Sequence, residues 1–101
     1  MSVLEIVRYR VKEGVTAEAA LSAWKKSQPF ASSQPGFVSR KLAQTEEGVF
    51  ADIVEWETME AALAVMEEFK VDKHPELADL VAVLDDATIE IQHFTVTGRE
   101  N

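Results

Sequence analysis

The sequence contains no cysteine, and glycine and proline are scarce, at four and three residues. Without cysteine there is no disulfide, no thiol nucleophile and no thiolate metal ligand. The glycines stand far apart, at positions 14, 36, 48 and 98, so none of them belongs to a glycine-rich loop of the kind that cradles a phosphate. The composition excludes thiol chemistry and gives no support to a nucleotide cofactor.

Basic side chains are also few, with 10 lysines and arginines against 18 acidic residues and a formal charge of -8. Non-specific binding of nucleic acid depends on cations that neutralise phosphates, so nucleic acid is not an expected partner. No apolar run approaches the roughly 20 residues of a membrane-spanning helix, and we expect no membrane partner. The first strand-like segment begins within three residues of Met1, with no basic and apolar leader before it, which favours a cytoplasmic protein.

What the chain does contain is a regular hydrophobic pattern over most of its 101 residues, enough for one domain with its own core. We predict a single domain over residues 1–97 and a polar, frayed tail over 98–101. Alternating apolar residues predict strands at 3–12, 36–45, 49–57 and 88–96.

Helical periodicity predicts three helices between these strands. Thr16 is a predicted N-cap for a first helix over 16–26, and Pro29 should kink it or restart it as a short extra turn. Thr58 is the corresponding N-cap of a second helix. Its predicted apolar stripe consists of Met59, Ala62, Leu63, Met66 and Phe69. A third, shorter helix is predicted within 74–84, with Pro75 at its first position.

The order βαββα(α)β predicts an α+β fold of the ferredoxin-like type. Right-handed crossovers place its four strands in one antiparallel sheet, with the first and third strands central and the helices on one face. A sheet with one face in water should alternate cleanly between apolar and polar residues. This chain does not, because apolar side chains fall on both faces of its central strands.

In the first strand, Leu4 and Ile6 lie on one face. The other face has Val3, Val7, Tyr9 and Val11. In the third strand, Ile53 opposes Phe50, Val54 and Trp56. Exposing the valine and aromatic set would create an apolar patch of several hundred Å², which monomers rarely tolerate. We therefore expect this set to face the same sheet of a second copy across a two-fold axis, in a homodimer.

Three segments carry a resemblance to a known family: "RYRVKEGVT", "QPGFVSRKL" and "VEWETMEAALAVM". Together they resemble the dimeric α/β-barrel superfamily, in particular its antibiotic-biosynthesis-monooxygenase-like branch, over residues 1–96. The resemblance implies a dimer whose facing sheets enclose a pocket, within a superfamily that hosts many activities. Branches that degrade haem or oxidise aromatic polyketides place a histidine late on the helix after the tryptophan, and haem-degrading branches also place an asparagine on the first strand. Met66 and Val7 stand at those positions here, which weighs against haem degradation.

The pocket that the resemblance implies would be lined by Trp56, Tyr9, Val7 and Val54. Trp56 stands where the family has a pocket tryptophan, although an aromatic residue at the end of a central strand more often serves packing. Tyr9 is its neighbour if the two central strands pair, and its phenol could donate a hydrogen bond to a ligand; a half-buried interface tyrosine is the simpler interpretation.

Three ionisable residues on strands are candidates for proton transfer. His93 is the one histidine on a predicted strand, and histidine titrates near neutrality, so it is the best candidate catalytic residue; a structural histidine is the plainer alternative. The pairing register, which the sequence leaves open, decides which face of the last strand carries it. Glu5 and Asp52 could act as bases in the cavity, or pair with Arg8, Arg10 or Arg40.

No metal site is predicted. His74 precedes a proline and is more simply an N-cap or loop residue, and with Asp72 it gives two ligands where metals need three or four.

Two functions from different classes are compatible with these residues, and neither requires a cofactor. The first is a binding or assembly module for a small apolar ligand. The second is a cofactor-independent monooxygenase acting on an aromatic or phenolic metabolite, with Trp56 and Tyr9 shaping the pocket and His93 moving protons. The first is favoured, because few polar groups are expected to face the cavity.

Overall fold

The computed structural model describes residues 1–100, and Asn101, the last residue of the predicted tail, lies outside them. Within residues 1–100 there are four strands, three helices and two 3-10 turns. The strands are β1 (Val3–Tyr9), β2 (Phe37–Gln44), β3 (Phe50–Trp56) and β4 (Glu90–Thr95). The helices are α1 (Ala17–Ser33), α2 (Met59–Glu68) and α3 (Ala78–Val83), and the 3-10 turns are Pro75–Leu77 and Asp86–Thr88.

The strands form one antiparallel sheet in the order β2-β3-β1-β4, with the helices against one face. This confirms the predicted ferredoxin-like βαββαβ architecture, including the central position of β1 and β3. The predicted N-caps are also present: Thr16 Oγ1 accepts from the Ala19 amide and Thr58 Oγ1 from the Ala61 amide, each at 3.0 Å. No helix within residues 1–100 is both long enough and apolar enough to cross a membrane.

The sheet has two chemically different faces, and our prediction of which face packs on the helices was wrong. The closed face, which the helices cover, contains on its central strands Val3, Glu5, Val7, Tyr9, Phe50, Asp52, Val54 and Trp56. The open face contains Leu4, Ile6, Arg8, Ala51, Ile53 and Glu55, all partly exposed. Strand alternation divides the residues into two sets, but it does not show which set faces the helices, because both sets contain apolar residues. The aromatic rings of Tyr9, Phe50 and Trp56 lie on the closed face and are buried under the helices.

Helix α1 does not stop at Lys26 or restart at Pro29, as predicted, but continues through the proline to Ser33. A proline inside a helix costs about 3 kcal/mol because one backbone hydrogen bond is lost. Beyond it, Phe30 and Ala31 are buried in the core, and burying a phenylalanine side chain contributes about 1.5 to 3 kcal/mol. Core packing therefore overrides the local preference of Pro29.

Helix α2 also buries a narrower face than the predicted stripe. Only Ala62 and Val65 are buried, whereas four members of the stripe, Met59, Leu63, Met66 and Phe69, are exposed by 37 to 50 %. The helix approaches the sheet closely near Gly36, which has φ of +84° and whose missing Cβ would lie 2.7 Å from Ala61 Cβ. Small residues at this contact leave the larger side chains of α2 at the protein surface.

Candidate functional site

A cavity of about 270 Å³ lies between the closed face of the sheet and the helices of the same chain. It separates two groups of core residues, one around Trp56 and Leu77 and the other around Tyr9 and Leu80, and residues of both groups line it. Its walls are mostly aliphatic and aromatic. Polar side chains are contributed by Glu5, Tyr9, Ser27, Arg40 and Asp52. The cavity is thus a property of one chain and not of a space between facing sheets.

Two residues of the cavity wall, Glu5 and Trp56, form a polar cluster with His93, which contacts Glu5 but does not itself line the cavity. Glu5 Oε1 accepts a hydrogen bond from Trp56 Nε1 at 3.3 Å, and Glu5 Oε2 lies 3.2 Å from His93 Nε2. Glu5 and His93 are directly opposite each other in the β1–β4 pairing, which places His93 on the closed face. The register that the sequence leaves open is therefore settled, and the histidine contacts a buried carboxylate.

Burial raises the pKa of the Glu5 carboxyl above its usual range, and the hydrogen bond from Trp56 and the nearby His93 oppose this rise only in part. The negative charge of Asp52 adds to the increase. A carboxylate with a raised pKa is a stronger base than an ordinary one, so Glu5 is suited to proton transfer with a neighbouring group. Glu5 and His93 therefore form a pair that can share one proton.

Asp52 and Arg40 form a second polar cluster. The guanidinium binds the carboxylate through two parallel hydrogen bonds, Nε to Oδ1 at 3.1 Å and Nη2 to Oδ2 at 2.7 Å. Arg40 Nη1 also donates to Ser27 Oγ and Gln28 Oε1, and the group lies 4.7 Å from the ring centre of Trp24. Arg40 thus pairs with the buried Asp52 charge. Of the two alternatives considered for this carboxylate, a base in the cavity or a partner of an arginine, this contact corresponds to the second.

Tyr9 occupies the end of β1 in the same cavity and is only 3 % exposed. The prediction that it neighbours Trp56 was wrong, because the antiparallel register pairs Tyr9 with Phe50 and places Trp56 opposite Val3 at the other end of β1. Its ring stacks on Phe50 with 5.6 Å between centroids, and its hydroxyl has no hydrogen-bond partner among residues 1–100. Burial, together with the charge of Asp52, raises the pKa of the Tyr9 phenol, which therefore remains protonated at physiological pH. Tyr9 is a fixed hydrogen-bond donor without an acceptor.

The cavity reaches the surface beside the end of α2. Met66 of this helix, Phe69 at its C-cap and Ile91 of β4 line the cavity and are exposed by 40 to 44 %. Apolar side chains at this opening suit the passage of an apolar molecule. Met66 is an apolar part of the cavity wall. It stands at the position where some branches of the resembled superfamily have a histidine.

The predicted pocket residues Glu5, Val7, Tyr9, Asp52, Val54 and Trp56 all line this one cavity. Ser27 was missed. It belongs to the buried face of α1, which consists of Ala20, Ala23, Ser27, Phe30 and Ala31. The helical spacing of these mostly small residues was the signal in the sequence that could have identified Ser27.

His74 stands at the N-cap position before Pro75, as one of its predicted interpretations had it, although its side chain makes no capping hydrogen bond. Its ring packs edge-on against Phe30, with 4.7 Å between centroids. Among residues 1–100, no three histidine, aspartate or glutamate side chains come together in a way that could hold a metal ion.

Comparison with solved structures relates this architecture to known proteins. No protein-family model and no curated protein matches the sequence. SnoaB, a cofactor-independent oxygenase from Streptomyces nogalater, is similar with a TM-score of 0.74 and 21 % identity over 97 % of this chain and 95 % of its own. A protein provisionally assigned as an antibiotic biosynthesis monooxygenase from Bordetella bronchiseptica is similar with a TM-score of 0.79 and 14 % identity. The match covers 95 % of this chain and 97 % of that protein.

A protein of unknown function from Nitrosomonas europaea has the same fold, with a TM-score of 0.73 and 13 % identity over 99 % of this chain and 93 % of its own. At such identities a structural likeness establishes the fold, whereas the activity depends on the residues of the site. The resemblance inferred from the sequence is confirmed at this level: the chain has the fold of antibiotic-biosynthesis-monooxygenase-like proteins.

Proposed function

We propose that this protein binds a small, flat, uncharged aromatic molecule with a hydroxyl group in the cavity between its sheet and its helices. The observation that carries the proposal is the cavity itself, which combines aliphatic and aromatic walls with a few buried polar groups. Ligand sites are typically of this kind, apolar with a small number of polar groups that fix orientation.

The size of the cavity limits the ligand. A cavity of about 150 Å³ holds one benzene molecule, and ligand pockets start at about 300 Å³. At about 270 Å³ the cavity suits a molecule of two fused rings. Larger ligands would need the opening beside Met66 and Phe69 to widen.

The polar groups select the chemistry. The Glu5 carboxyl has lone pairs beyond those used by Trp56 and His93, and it can accept a hydrogen bond from a phenolic hydroxyl. Glu5 and Asp52 together outnumber Arg40 in the cavity wall, which disfavours an anionic ligand. A neutral phenol meets both conditions.

Binding can be tested by calorimetric titration with 2-naphthol and with naphthalene, which lacks the hydroxyl. We expect 2-naphthol to bind more tightly, and Glu5→Gln to reduce that preference. A hydrogen bond to a charged group contributes about 1.5 to 3 kcal/mol, or roughly ten- to a hundredfold in affinity. Leu63→Gln, on the exposed side of α2, is the matched control. The proposal is wrong if the wild-type protein binds neither compound.

A second candidate function is oxidation of such a ligand by molecular oxygen without a cofactor. Two observations support it: the fold shared with a cofactor-independent oxygenase, and the Glu5–His93 pair with its raised carboxyl pKa. Transfer of the phenol proton to this pair would leave an electron-rich phenolate to reduce oxygen. The overall reaction balances as phenol C–H plus O2 giving a quinone carbonyl and water, with four electrons passing from the ring to oxygen.

Oxidation can be tested with 1-naphthol in an oxygen electrode. The expected product is 1,4-naphthoquinone, with one O2 consumed per molecule, and both Glu5→Gln and His93→Gln should slow the reaction more than tenfold while the ligand still binds. Binding without any oxygen consumption would leave the protein as a binding module and exclude the oxygenase.

We also propose that the protein is a homodimer in which two open faces pack together. Leu4, Ile6 and Ile53 on this face are only partly covered within one chain, and Phe94 of the adjacent strand is 42 % exposed. Covering them with a second copy would remove a continuous apolar surface from water.

Sedimentation equilibrium tests the dimer. At micromolar concentration the wild-type protein should sediment as a dimer, and Ile53→Glu should dissociate it because a charge would be buried in each copy. Leu63→Glu, which adds the same charge on α2, should leave the dimer intact. A wild-type monomer under these conditions would contradict the proposal.

A further inference from the structure

The Tyr9 hydroxyl has a donor hydrogen and nothing in the described chain to receive it. The residue is 3 % exposed and lines the cavity, so bulk water does not replace the missing partner. Buried hydroxyls are nearly always hydrogen-bonded in folded proteins, and an exception requires an explanation. A ligand with an acceptor atom at this position would explain why the Tyr9 hydroxyl has no partner within the chain.

The surrounding groups leave no acceptor for this hydroxyl. The charge of Asp52 raises the pKa of this phenol, but the Asp52 oxygens bind Arg40 and neither of them makes a hydrogen bond with the Tyr9 hydroxyl. Stacking on Phe50 holds the phenol ring in place. The donor is therefore already oriented before a ligand enters, and the charge of Asp52 nearby disfavours an anionic acceptor.

Tyr9 and the Glu5 cluster stand at opposite ends of the same wall. The two residues lie four positions apart on one face of β1, a separation of roughly 13 Å between Cα atoms. After two hydrogen bonds of about 2.8 Å each, roughly 7 Å remain, close to the span between oxygen substituents on a two-ring skeleton. One ligand can therefore meet both ends.

We propose that Tyr9 is a specificity-determining residue that donates a hydrogen bond to an uncharged acceptor oxygen of the ligand, at the end opposite to Glu5. The inference rests on the proposed ligand-binding function and narrows its ligand class. The cavity would prefer a two-ring hydroxyketone, with the hydroxyl at Glu5 and the carbonyl at Tyr9, over a two-ring phenol that lacks the carbonyl.

Calorimetric titration of two probes tests this assignment. 6-Hydroxy-1-tetralone has a hydroxyl and a ketone on opposite ends of two fused rings, and 5,6,7,8-tetrahydro-2-naphthol has the same skeleton and hydroxyl without the ketone. The wild-type protein should bind the hydroxyketone about five- to tenfold more tightly. Tyr9→Phe should abolish this preference and leave the affinity for tetrahydronaphthol unchanged, whereas Glu5→Gln should weaken both probes.

The melting temperature of the ligand-free protein gives an independent readout. Removing an unpaired buried hydroxyl should leave the melting temperature of Tyr9→Phe unchanged or raise it by a few degrees. A lower melting temperature would show that the hydroxyl already has a partner, such as a buried water, and would overturn the assignment.

The two proposals fail in different ways. If both probes bind equally to the wild-type protein, or if Tyr9→Phe weakens both alike, the assignment of Tyr9 is overturned and the ligand-binding function stands. If neither probe binds the wild-type protein, the ligand-binding function is overturned and the role of Tyr9 with it.

Discussion

Glu5 and Asp52 are both carboxylates on the closed face of the sheet, and each is 7 % exposed, yet their surroundings give them different roles. Asp52 is held by the two parallel hydrogen bonds of Arg40. Glu5 has an indole N–H and a histidine, which need not carry a charge. Burial alone therefore does not define a reactive carboxylate. A permanent cation beside a buried carboxylate makes that carboxylate structural, whereas the lack of such a cation keeps it available for proton transfer.

The largest expected effect comes from removing the cation. Arg40→Met would leave Asp52 buried without its partner, and the free energy of unfolding should fall by about 3 to 5 kcal/mol. Urea unfolding measures the change. In the double variant Arg40→Met/Asp52→Leu both charges are removed, and most of the stability should return. A loss below about 1 kcal/mol in the single variant would show that the ion pair is not structural.

A smaller effect, with a characteristic pH dependence, is expected at the other carboxylate. Because the folded-state pKa of Glu5 is raised, its contribution to stability is fully present below the pKa of an unfolded glutamate, 4.5, and is lost as pH rises through the folded value. Above the folded-state pKa the ionised Glu5 therefore destabilises the fold, and we test this at pH 8. Glu5→Gln should raise the free energy of unfolding there by about 1 kcal/mol, the balance between the desolvation of a buried charge and the hydrogen bonds it receives.

The measurement is urea unfolding of the wild-type protein and of Glu5→Gln at pH 5, 6.5 and 8. The advantage of the variant should shrink as the pH is lowered, because the wild-type carboxyl then becomes protonated. Asp52→Asn provides the contrast, since it removes a carboxylate that has a permanent cation and should destabilise the protein at pH 8. An advantage of Glu5→Gln that is the same at all three pH values would contradict the raised pKa.

The smallest effect is expected at an ion pair that is about as short as the Arg40–Asp52 pair but lies at the protein surface. Lys26 Nζ lies 2.6 Å from Asp79 Oδ2, and both side chains are more than half exposed. Pairs of this kind contribute about 0 to 1 kcal/mol. Lys26→Ala should change the free energy of unfolding by less than about 0.5 kcal/mol, and the change should vanish in 0.5 M salt because exposed charges are screened.

Local patterns predicted the order of elements and both threonine caps, because each depends on neighbouring residues. The handedness of the crossovers then predicted that β1 and β3 are the central strands. Local patterns did not predict which face of the sheet the helices cover. Leu4 and Ile53 are as apolar as Val3 and Val54, and Glu5 on one face is matched by Glu55 on the other. Only the packing of whole helices against the sheet distinguishes such faces. The continuation of α1 through Pro29 has the same origin, since it depends on the burial of Phe30.

The candidate site could be predicted residue by residue but not as an arrangement. Tyr9, Trp56, Glu5 and His93 were recognisable as strand residues with suitable chemistry. That Glu5 meets His93, while Asp52 meets Arg40, depends on pairings between distant parts of the chain. Alternation within one strand contains no information about register with another.

The pairing of Glu5 with His93 has a consequence for the synthesis of the protein. The two residues are separated by 88 positions, so their contact forms only after nearly the whole chain has left the ribosome and β4 has joined the edge of the sheet at β1. Contacts this distant in sequence form slowly, because a long loop must close first. A nascent chain that already has α1 and the β2–β3 hairpin would therefore lack the proton-sharing pair, and any activity that depends on this pair would report the last step of folding.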